Sequence, residues 1–248
     1  LGRWMNVDPL AEDFYSYSPY NAMMNDPIGY IDPDGRSAEW VPGTDGKAIT
    51  YSEDANGNLT VSENATADTQ QIVAGINESG SETAKSQFKG VADSEGKVNL
   101  VVNKTDTGAN GKSLFGLHQA HDANGNALNW DSSTNTFDGE VDTFVDSNGN
   151  TVYTEATITI FESNFNDNTQ NKFTALERFG IWDSGLTKSN AMSGTFSHEV
   201  FHNLDQKTIS TVKQNSAAGK KVNGYDVEAP AYKVQGQVHQ EMKDNRQK

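Results

Sequence analysis

Cysteine is absent from this chain of 248 residues. Its absence excludes disulfides, thiolate nucleophiles and every cysteine-containing zinc or iron–sulfur site, so any bound metal must be held by His, Asp or Glu. Histidine is scarce, with five residues in the whole chain. A metal site would have to draw on His118, His121, His198, His202 and His239.

Long apolar runs and an excess of basic residues are also missing. No run of 18 apolar residues occurs, so the sequence predicts a soluble chain without a membrane span. The 34 acidic and 19 basic residues give a formal charge of −15, which argues against a nucleic-acid partner because phosphate neutralisation needs a basic surface.

The negative charge is not spread evenly along the chain. Residues 1–205 hold 30 acids and 11 bases, whereas residues 206–248 hold 4 acids and 8 bases. We interpret the basic tail as a solvated helix face, with local steering of an acidic substrate as the alternative.

The first 36 residues differ in composition from the rest. They hold four of the six prolines and four of the eight tyrosines. Such a segment has little helix-compatible sequence, and we expect it to pack its aromatic side chains against another part of the protein instead of folding alone. The chain also begins without Met or a signal-peptide pattern, so we expect it to be a fragment of a longer polypeptide.

Five phrases in this segment resemble the C-terminal end of the RHS repeat-associated core. The resemblance implies that residues 1–36 close a shell of β-strands and that a variable C-terminal toxin follows. The family cleaves itself at its final Asp-Pro-x-Gly-Leu motif. Asp32 and Asp34 match the aspartates of that motif, whereas Arg36 replaces the Leu and leaves self-cleavage open. The phrases are Gly2-Arg3-Trp4, Asp8-Pro9-Leu10, Tyr17-Ser18-Pro19-Tyr20, Asn25-Asp26-Pro27 and Asp32-Pro33-Asp34-Gly35.

Residues 37–248 have the length of a single domain. Three phrases of the form Asp-x-Asn-Gly-Asn occur in it, at Asp54–Asn58, Asp122–Asn126 and Asp146–Asn150. We interpret them as hairpin turns, because Asn-Gly is the strongest signal for a type I′ turn. Calcium loops are the alternative, but the ligand order of an EF-hand and its closing Glu are missing.

The pattern of apolar residues predicts an α+β fold. A helix is expected over Ala67–Lys89 with an interruption at Gly80, a second from Thr195 to about Lys207, and a third over Val227–Lys243. Strands are expected at Lys97–Asn103 and in a hairpin that pairs Val141–Val145 with Val152–Phe161.

The second of these helices carries the motif His198-Glu199-x-x-His202. Four residues advance a helix by slightly more than one turn, so both imidazoles can reach one ion from the same face. Glu199 lies on the flank of that face. Phe196, Val200 and Leu204 fall on the opposite side, which gives the helix an apolar back.

A catalytic zinc site needs a third protein ligand and an open position for water. Asp205 lies near the His face but on the same helix, where three ligands would surround an ion poorly. We therefore favour Glu228, with Asp226 as the N-cap of its helix and Pro230 near the first turn.

The Val227–Lys243 helix would carry a polar stripe. Glu228, Tyr232, Gln235 and His239 line up on one side of it, with His239 too far along the axis to share an ion with Glu228. Tyr232 could reach a substrate oxyanion, and ordinary packing of its ring is the alternative. A second His pair, His118 and His121, could in principle bind metal, but it is not expected on a helix and its convergence is unsupported.

The domain resembles a zincin metallopeptidase of the type with Glu as third ligand. His198, Glu199 and His202 match, as does Glu228 followed by an Ala and a Tyr, and the resemblance extends over about residues 140–245. It implies a zincin-like fold with a small twisted sheet and an active-site helix. It also implies zinc bound by the two His and Glu228, with Glu199 as general base.

Two further features of zincins bear on this chain. Zincins set an edge strand antiparallel to the substrate above the active helix, and Val152–Phe161 is the natural candidate. The metzincin branch matches less well, because Asp205 occupies the position of its turn Gly and no third His follows.

The expected function is a zinc-dependent endopeptidase that forms the toxin domain of a secreted RHS-type effector. Its expected partners are a protein substrate in a target cell, the RHS shell of the parent polypeptide and a cognate immunity protein. An interaction module without catalysis and a metal hydrolase of a non-peptide amide bond are the alternatives. The compartment of action is left open.

Overall fold

The computed structural model describes residues 41–109, 112–131, 133–165 and 186–247. Residues 1–36, for which the RHS segment is predicted, and the boundary at Ser37 lie outside the described residues. The described part of the chain is mixed α+β, as predicted, with five α-helices and several small sheets.

The secondary-structure elements are numbered in chain order. The described strands are β1 (Tyr51–Glu53), β2 (Leu59–Val61), β3 (Lys97–Asn103), β4 (Gly108–Ala109), β5 (Lys112–Ser113), β6 (Gly116–Ala120), β7 (Trp130–Asp131), β8 (Thr136–Phe137), β9 (Thr143–Val145), β10 (Thr151–Tyr153) and β11 (Glu155–Phe161). The helices are α1 (Ala67–Ser79), α2 (Glu82–Ala92), α3 (Lys188–Leu204), α4 (Gln206–Ala217) and α5 (Gly224–Arg246).

Three strands form the central sheet, in the order β3–β11–β6. β3 runs parallel to β11 and β6 runs antiparallel to it, with Ile158 paired to Leu100 on one side and to His118 on the other. The strand predicted at Lys97–Asn103 is confirmed. β6 is an edge of this sheet, and it lies against α3.

The predicted hairpin around Asp146–Asn150 is present, but its second arm is divided. β10 pairs with β9, whereas β11, which follows after Thr154, is the middle strand of the central sheet. β11 therefore has a partner on both sides, and the prediction that Val152–Phe161 supplies a free edge strand is wrong. The edge strand next to the motif helix is β6.

The three Asp-x-Asn-Gly-Asn phrases are turns, as predicted. In the first, Oδ1 of Asp54 accepts the backbone N–H groups of Asn56 and Asn58. Gly57 has a φ of +75°, whereas Asn135 is the only non-glycine residue of the described chain with positive φ. Asn56 is thus not left-handed, so the turn is a three-residue loop closed by a left-handed Gly and not type I′. Both of the other phrases have the same pattern of hydrogen bonds.

The N-terminal helical region divides where the sequence predicts. Thr66 caps the start of α1, Gly80 ends it with a φ of +61°, and Ser81 caps α2. Glycine adopts the left-handed backbone conformation most easily, which explains the break at this position.

The later helices differ from the prediction at their ends. α3 begins at Lys188, seven residues before Thr195, because Thr187 caps it and small residues allow close packing of its first two turns. It ends at Leu204, before the predicted Lys207, because Asp205 has extended backbone and caps α4.

The helix that carries Glu228 is also longer than predicted. α5 starts at Gly224, so Asp226 lies in its first turn and is not the N-cap. Pro230 is the seventh residue of α5 and lies inside the helix, one turn beyond the position predicted for it. The helix begins at Gly224 because the backbone N–H of Asp226 donates to the carbonyl of Asn223 at 3.0 Å and the side chain of Asn223 donates to Oδ2 of Asp226 at 2.9 Å, which closes a turn before Val227.

α3 lies at the centre of the molecule, in contact with α1, α2, α5 and the central sheet. Phe196 and Val200 are 1% and 0% exposed, and Leu204 packs partly buried against the same core, as predicted for the apolar back of the motif helix. Within the described residues, no helix combines the length and apolar composition needed to cross a membrane.

Candidate metal centre

Three side chains from two helices meet at the end of α3. Nε2 of His198 lies 3.3 Å from Nε2 of His202 and 3.1 Å from Oε2 of Glu228. Nε2 of His202 lies 3.6 Å from Oε1 of Glu228. Among the described residues, this is the cluster whose His and carboxylate atoms converge closely enough for a metal.

The spacing of these atoms fits a tetrahedral zinc ion. Bonds of about 2.0–2.1 Å at the tetrahedral angle place neighbouring ligand atoms about 3.3–3.4 Å apart. The two Nε2 atoms, 3.3 Å apart, match that value, and Glu228 places Oε2 at 3.1 Å from His198 and Oε1 at 3.6 Å from His202. Two imidazoles and one carboxylate also leave the fourth position for water or substrate.

The charges of the three groups are coupled. Burial lowers the pKa of His202 to about 3, against the smaller opposing effect of Glu228. Burial also disfavours protonation of His198, but its hydrogen bond to Glu228 and the charges of Glu199 and Glu228 outweigh burial and raise its pKa. Burial would raise the pKa of Glu228, yet its contacts with the two His lower it. Metal binding requires a carboxylate and two neutral imidazoles. The lowered pKa values of Glu228 and His202 favour these states, whereas the raised pKa of His198 favours a proton that a bound metal would displace.

Glu199 lies buried between α3 and the edge strand. It is 8% exposed, and burial raises the pKa of its carboxyl to about 7, with a hydrogen bond from the backbone N–H of His118 opposing the shift. A Cβ atom on Gly116 would stand 2.6 Å from Oε1 of Glu199. The strand can approach this carboxyl so closely only because residue 116 has no side chain.

Some backbone N–H and C=O groups of β6 near Glu199 point away from β11. Phe161 donates its N–H to the carbonyl of Phe115, and His121 donates to the carbonyl of Glu155. By antiparallel alternation, the backbone groups of residues 116, 118 and 120 point to the other side. The backbone N–H of Leu128 donates to the carbonyl of Ala120. Within the described chain, the N–H and C=O of Gly116, the C=O of His118 and the N–H of Ala120 are left for a further partner.

The polar stripe predicted on α5 is present. The ring centroid of Tyr232 lies 4.5 Å from that of His198, and burial raises the pKa of its hydroxyl to about 12, so the hydroxyl keeps its proton at neutral pH. Gln235 is 2% exposed and approaches Oγ1 of Thr195 at 3.5 Å. His239 packs further along, against Gly194, and lies outside the metal cluster.

Asp205, the alternative third ligand, has a different role. Its Oδ2 accepts hydrogen bonds from the backbone N–H and the hydroxyl of Thr208, at 2.8 and 2.9 Å. Its carboxylate is thus used to start α4, and it lies outside the converging cluster.

The second His pair separates across the sheet. His118 points toward α3, where its Nε2 meets Oδ1 of Asn203 at 3.1 Å, whereas Nε2 of His121 meets Oγ1 of Thr157 at 3.0 Å. Burial lowers the pKa of His118 to about 4, so its ring is neutral. Sequence reasoning missed that His118 and Asn203 border the site, because their pairing depends on how β6 docks on α3.

The metal cluster opens into a cavity of about 560 Å³. His198, His202, Glu199 and Glu228 line one end of it. The other end lies between β6, the segment from Leu128 to Phe137, α4 and the start of α5, and most of its lining is apolar. A volume of this size is in the usual range for ligand and substrate sites.

No protein-family model, curated protein or solved structure matches the chain.

Proposed function

We propose that the domain of residues 37–248 is a zinc-dependent endopeptidase. The observation that carries the proposal is the triangle of side chains formed by His198, His202 and Glu228, in which the two Nε2 atoms lie 3.3 Å apart and each lies 3.1–3.6 Å from one of the two carboxylate oxygens of Glu228. A buried acid, Glu199, lies beside that triangle at the wall of a substrate-sized cavity.

His198, His202 and Glu228 would hold the zinc. When bound, zinc lowers the pKa of a water molecule toward 7 and polarises the carbonyl of the bond to be cleaved. The protein contributes a rigid ligand set from two packed helices and a burial that keeps bulk water from both imidazoles.

Glu199 would act as the general base. Burial places the pKa of its carboxyl near 7, in the range where a group both accepts and releases a proton at neutral pH. It takes a proton from the attacking water as the C–O bond forms and delivers it to the amine nitrogen as the C–N bond breaks. The backbone N–H of His118 holds the carboxylate in place during both transfers.

Tyr232 would stabilise the developing oxyanion. It packs against the ring of His198, and the raised pKa of its hydroxyl keeps it a hydrogen-bond donor at neutral pH. The backbone groups of Gly116 would pair with the main chain of an extended substrate. This gives the zincin-like arrangement a strand, β6, to replace the one first predicted.

The biological setting is proposed from residues 1–36. Their resemblance to the end of an RHS core supports a secreted effector whose shell encloses the toxin until it is delivered into a target cell. A protein substrate in that cell and a cognate immunity protein are the partners that this setting requires. Zero cysteine is compatible with any redox compartment along that route.

Zinc content and cleavage test the proposal together. We expect one zinc per chain by elemental analysis. Glu199→Gln should keep zinc and lose about 100- to 10,000-fold in rate, as expected for a lost general base. A Glu199→Gln protein that remains fully toxic in recipient cells, or a wild type without zinc, would overturn the peptidase and favour an interaction module.

Two carboxylate variants test the third ligand. Glu228→Ala should lose zinc, because the third corner of the triangle is removed. Asp205→Ala should keep zinc and lose only about 1 kcal/mol of stability from the cap of α4. Retention of zinc by the Glu228 variant would show that this choice is wrong. A separate experiment, mass spectrometry of proteins cleaved in intoxicated cells, would identify the substrate.

A further inference from the structure

The cavity beside the metal centre extends into a region with a different chemical character. We call this region the apolar branch. It is lined by Leu128, Trp130, Phe137, Tyr153, Val212 and Val222. Leu128, Tyr153, Val212 and Val222 are 3–7% exposed and form its floor and walls, while the rings of Trp130 and Phe137 meet edge to face at 5.1 Å.

One residue connects the metal centre to the apolar branch. The ring of His118 lies 6.3 Å from that of His202 and 5.3 Å from that of Tyr153, measured between centroids. A group bound at the triangle therefore lies about one side chain away from the start of the branch. The segment that leads into α5 also joins the two regions, because Val222 lines the branch two residues before the helix begins and Glu228, in the helix, completes the triangle.

The lining of the branch selects by polarity. Among the described residues, none of its six side chains is charged. A Lys, Arg, Asp or Glu side chain that entered would lose its hydration without gaining an ionic partner. A large apolar side chain would instead exchange water contact for contact with aromatic and aliphatic walls.

β6 offers few backbone groups to which the main chain of a peptide could hydrogen-bond. Of the outward-facing backbone groups of β6, the N–H of His118 is used by Glu199 and the C=O of Ala120 by Leu128. The N–H and C=O of Gly116, the C=O of His118 and the N–H of Ala120 are left, within the described chain, to pair with an extended peptide. The side chain next to the cleaved bond must therefore supply much of the discrimination between substrates.

We propose that the apolar branch receives a large apolar side chain, such as Leu, Met or Phe, from the residue adjoining the bond that is cleaved. This inference rests on the proposed peptidase function and narrows its substrate class. Peptides with a large apolar residue at that position should have kcat/KM values about 10- to 100-fold above those with Ala. Peptides with a charged residue there should be poorer still.

The test is a set of quenched fluorescent peptides that differ only at this position, cleaved by the zinc-loaded protein. Val212→Phe fills the branch and should lower kcat/KM for the Phe peptide at least tenfold relative to the Ala peptide. Lys213→Phe adds the same ring to the exposed neighbouring position of α4 and should keep the wild-type ranking. Phe137→Ala enlarges the branch and should shift the preference toward larger side chains.

A second readout does not depend on turnover. The same peptides should bind zinc-loaded Glu199→Gln with the same order of affinity, measured by calorimetry, and zinc content should be unchanged in the Val212 and Phe137 variants. Cleavage with less than a threefold spread across side chains, or a Val212→Phe protein with the wild-type ranking, overturns the inference alone. A wild type that holds no zinc or cleaves no peptide overturns the proposed function and this inference with it.

Discussion

Gly116 offers a direct test of how Glu199, the proposed general base, is positioned. Gly116→Ala adds one methyl group at the point where β6 crosses α3. The new Cβ would stand 2.6 Å from Oε1 and 2.7 Å from Cγ of Glu199, and 2.8 Å from Cγ2 of Thr195. None of these atoms belongs to the three proposed metal ligands, so the change acts on Glu199 and leaves the triangle in place.

The size of the effect follows from these distances. Ordinary contact begins at 3.4 Å, so the three atoms must move by about 0.6–0.8 Å or the strand must retreat by as much. Misplacement of a reacting group by about 1 Å lowers rates by about 100-fold. We therefore expect kcat to fall about 30- to 100-fold, with a stability loss of about 1–3 kcal/mol from overpacking.

The assay separates positioning from metal loss and from unfolding. Zinc per chain and KM should remain near wild-type values while kcat falls. Gly90→Ala is the matched control, because its Cβ would stand 2.5 Å from Cδ1 of Leu204, the mobile end of a side chain away from Glu199. That variant should keep full activity.

Two results would refute the reasoning. If Gly116→Ala retains kcat within twofold, the close approach of β6 to Glu199 has no part in catalysis. If zinc is lost in proportion to activity, the added methyl group acts through the metal ligands and the base is not the group displaced.

Three further changes have defined outcomes. Tyr232→Phe should keep zinc and lower kcat about 100-fold, as for a removed oxyanion donor, and an unchanged kcat would assign the ring to packing alone. Asn203→Leu should lower the free energy of unfolding by about 1–2 kcal/mol, because Nε2 of buried His118 loses its partner; equal thermal melting would contradict this. Glu241 accepts hydrogen bonds from Ser81 and Thr83, and its pKa is lowered by them against the effect of burial. Its stabilisation should be complete above the unfolded pKa of about 4.5 and be lost as pH falls through the lower pKa of the folded protein, so Glu241→Gln should cost about 1 kcal/mol at pH 7 and less at pH 3, measured by urea unfolding.

The part of the site that lies on one helix was accessible from sequence. His198 and His202 are four residues apart, and helical geometry alone brings their imidazoles together once the segment is known to be helical. Phe196 and Val200 were placed in the core by the same argument. The end of α3 just before Asp205 could not be predicted in this way, because the extended backbone of Asp205 depends on the cap that it provides to α4.

Glu228 required a different argument. The absence of cysteine and the awkward position of Asp205 left few ligands, and a Glu on a later helix was the best remaining choice. The structure brings it to both imidazoles although thirty residues separate it from His198. The bounds of its helix were less accurate, because cap preferences are weak signals compared with the packing of α5 on α3.

The features that the sequence does not predict depend on contacts between elements that are distant along the chain. The resemblance to zincins predicts an edge strand at Val152–Phe161, but the alternation of apolar residues in β11 says nothing about which strands become its neighbours. The roles of Gly116, His118 and Asn203 depend on β6 lying across α3. No local pattern around any of the three points to that crossing.

The separation of the ligands along the chain has a thermodynamic consequence. An ion held by His202 and Glu228 links residues that are 26 positions apart and encloses the whole of α4 in a ring closed only in the native state. The unfolded chain has no such ring, so zinc bound at the proposed site would add directly to the free energy of unfolding. At a free zinc concentration 1,000 times the Kd, this addition is about 4.1 kcal/mol. The melting temperature of the domain should therefore report the zinc concentration around it, rising with each tenfold increase and falling when a chelator is added.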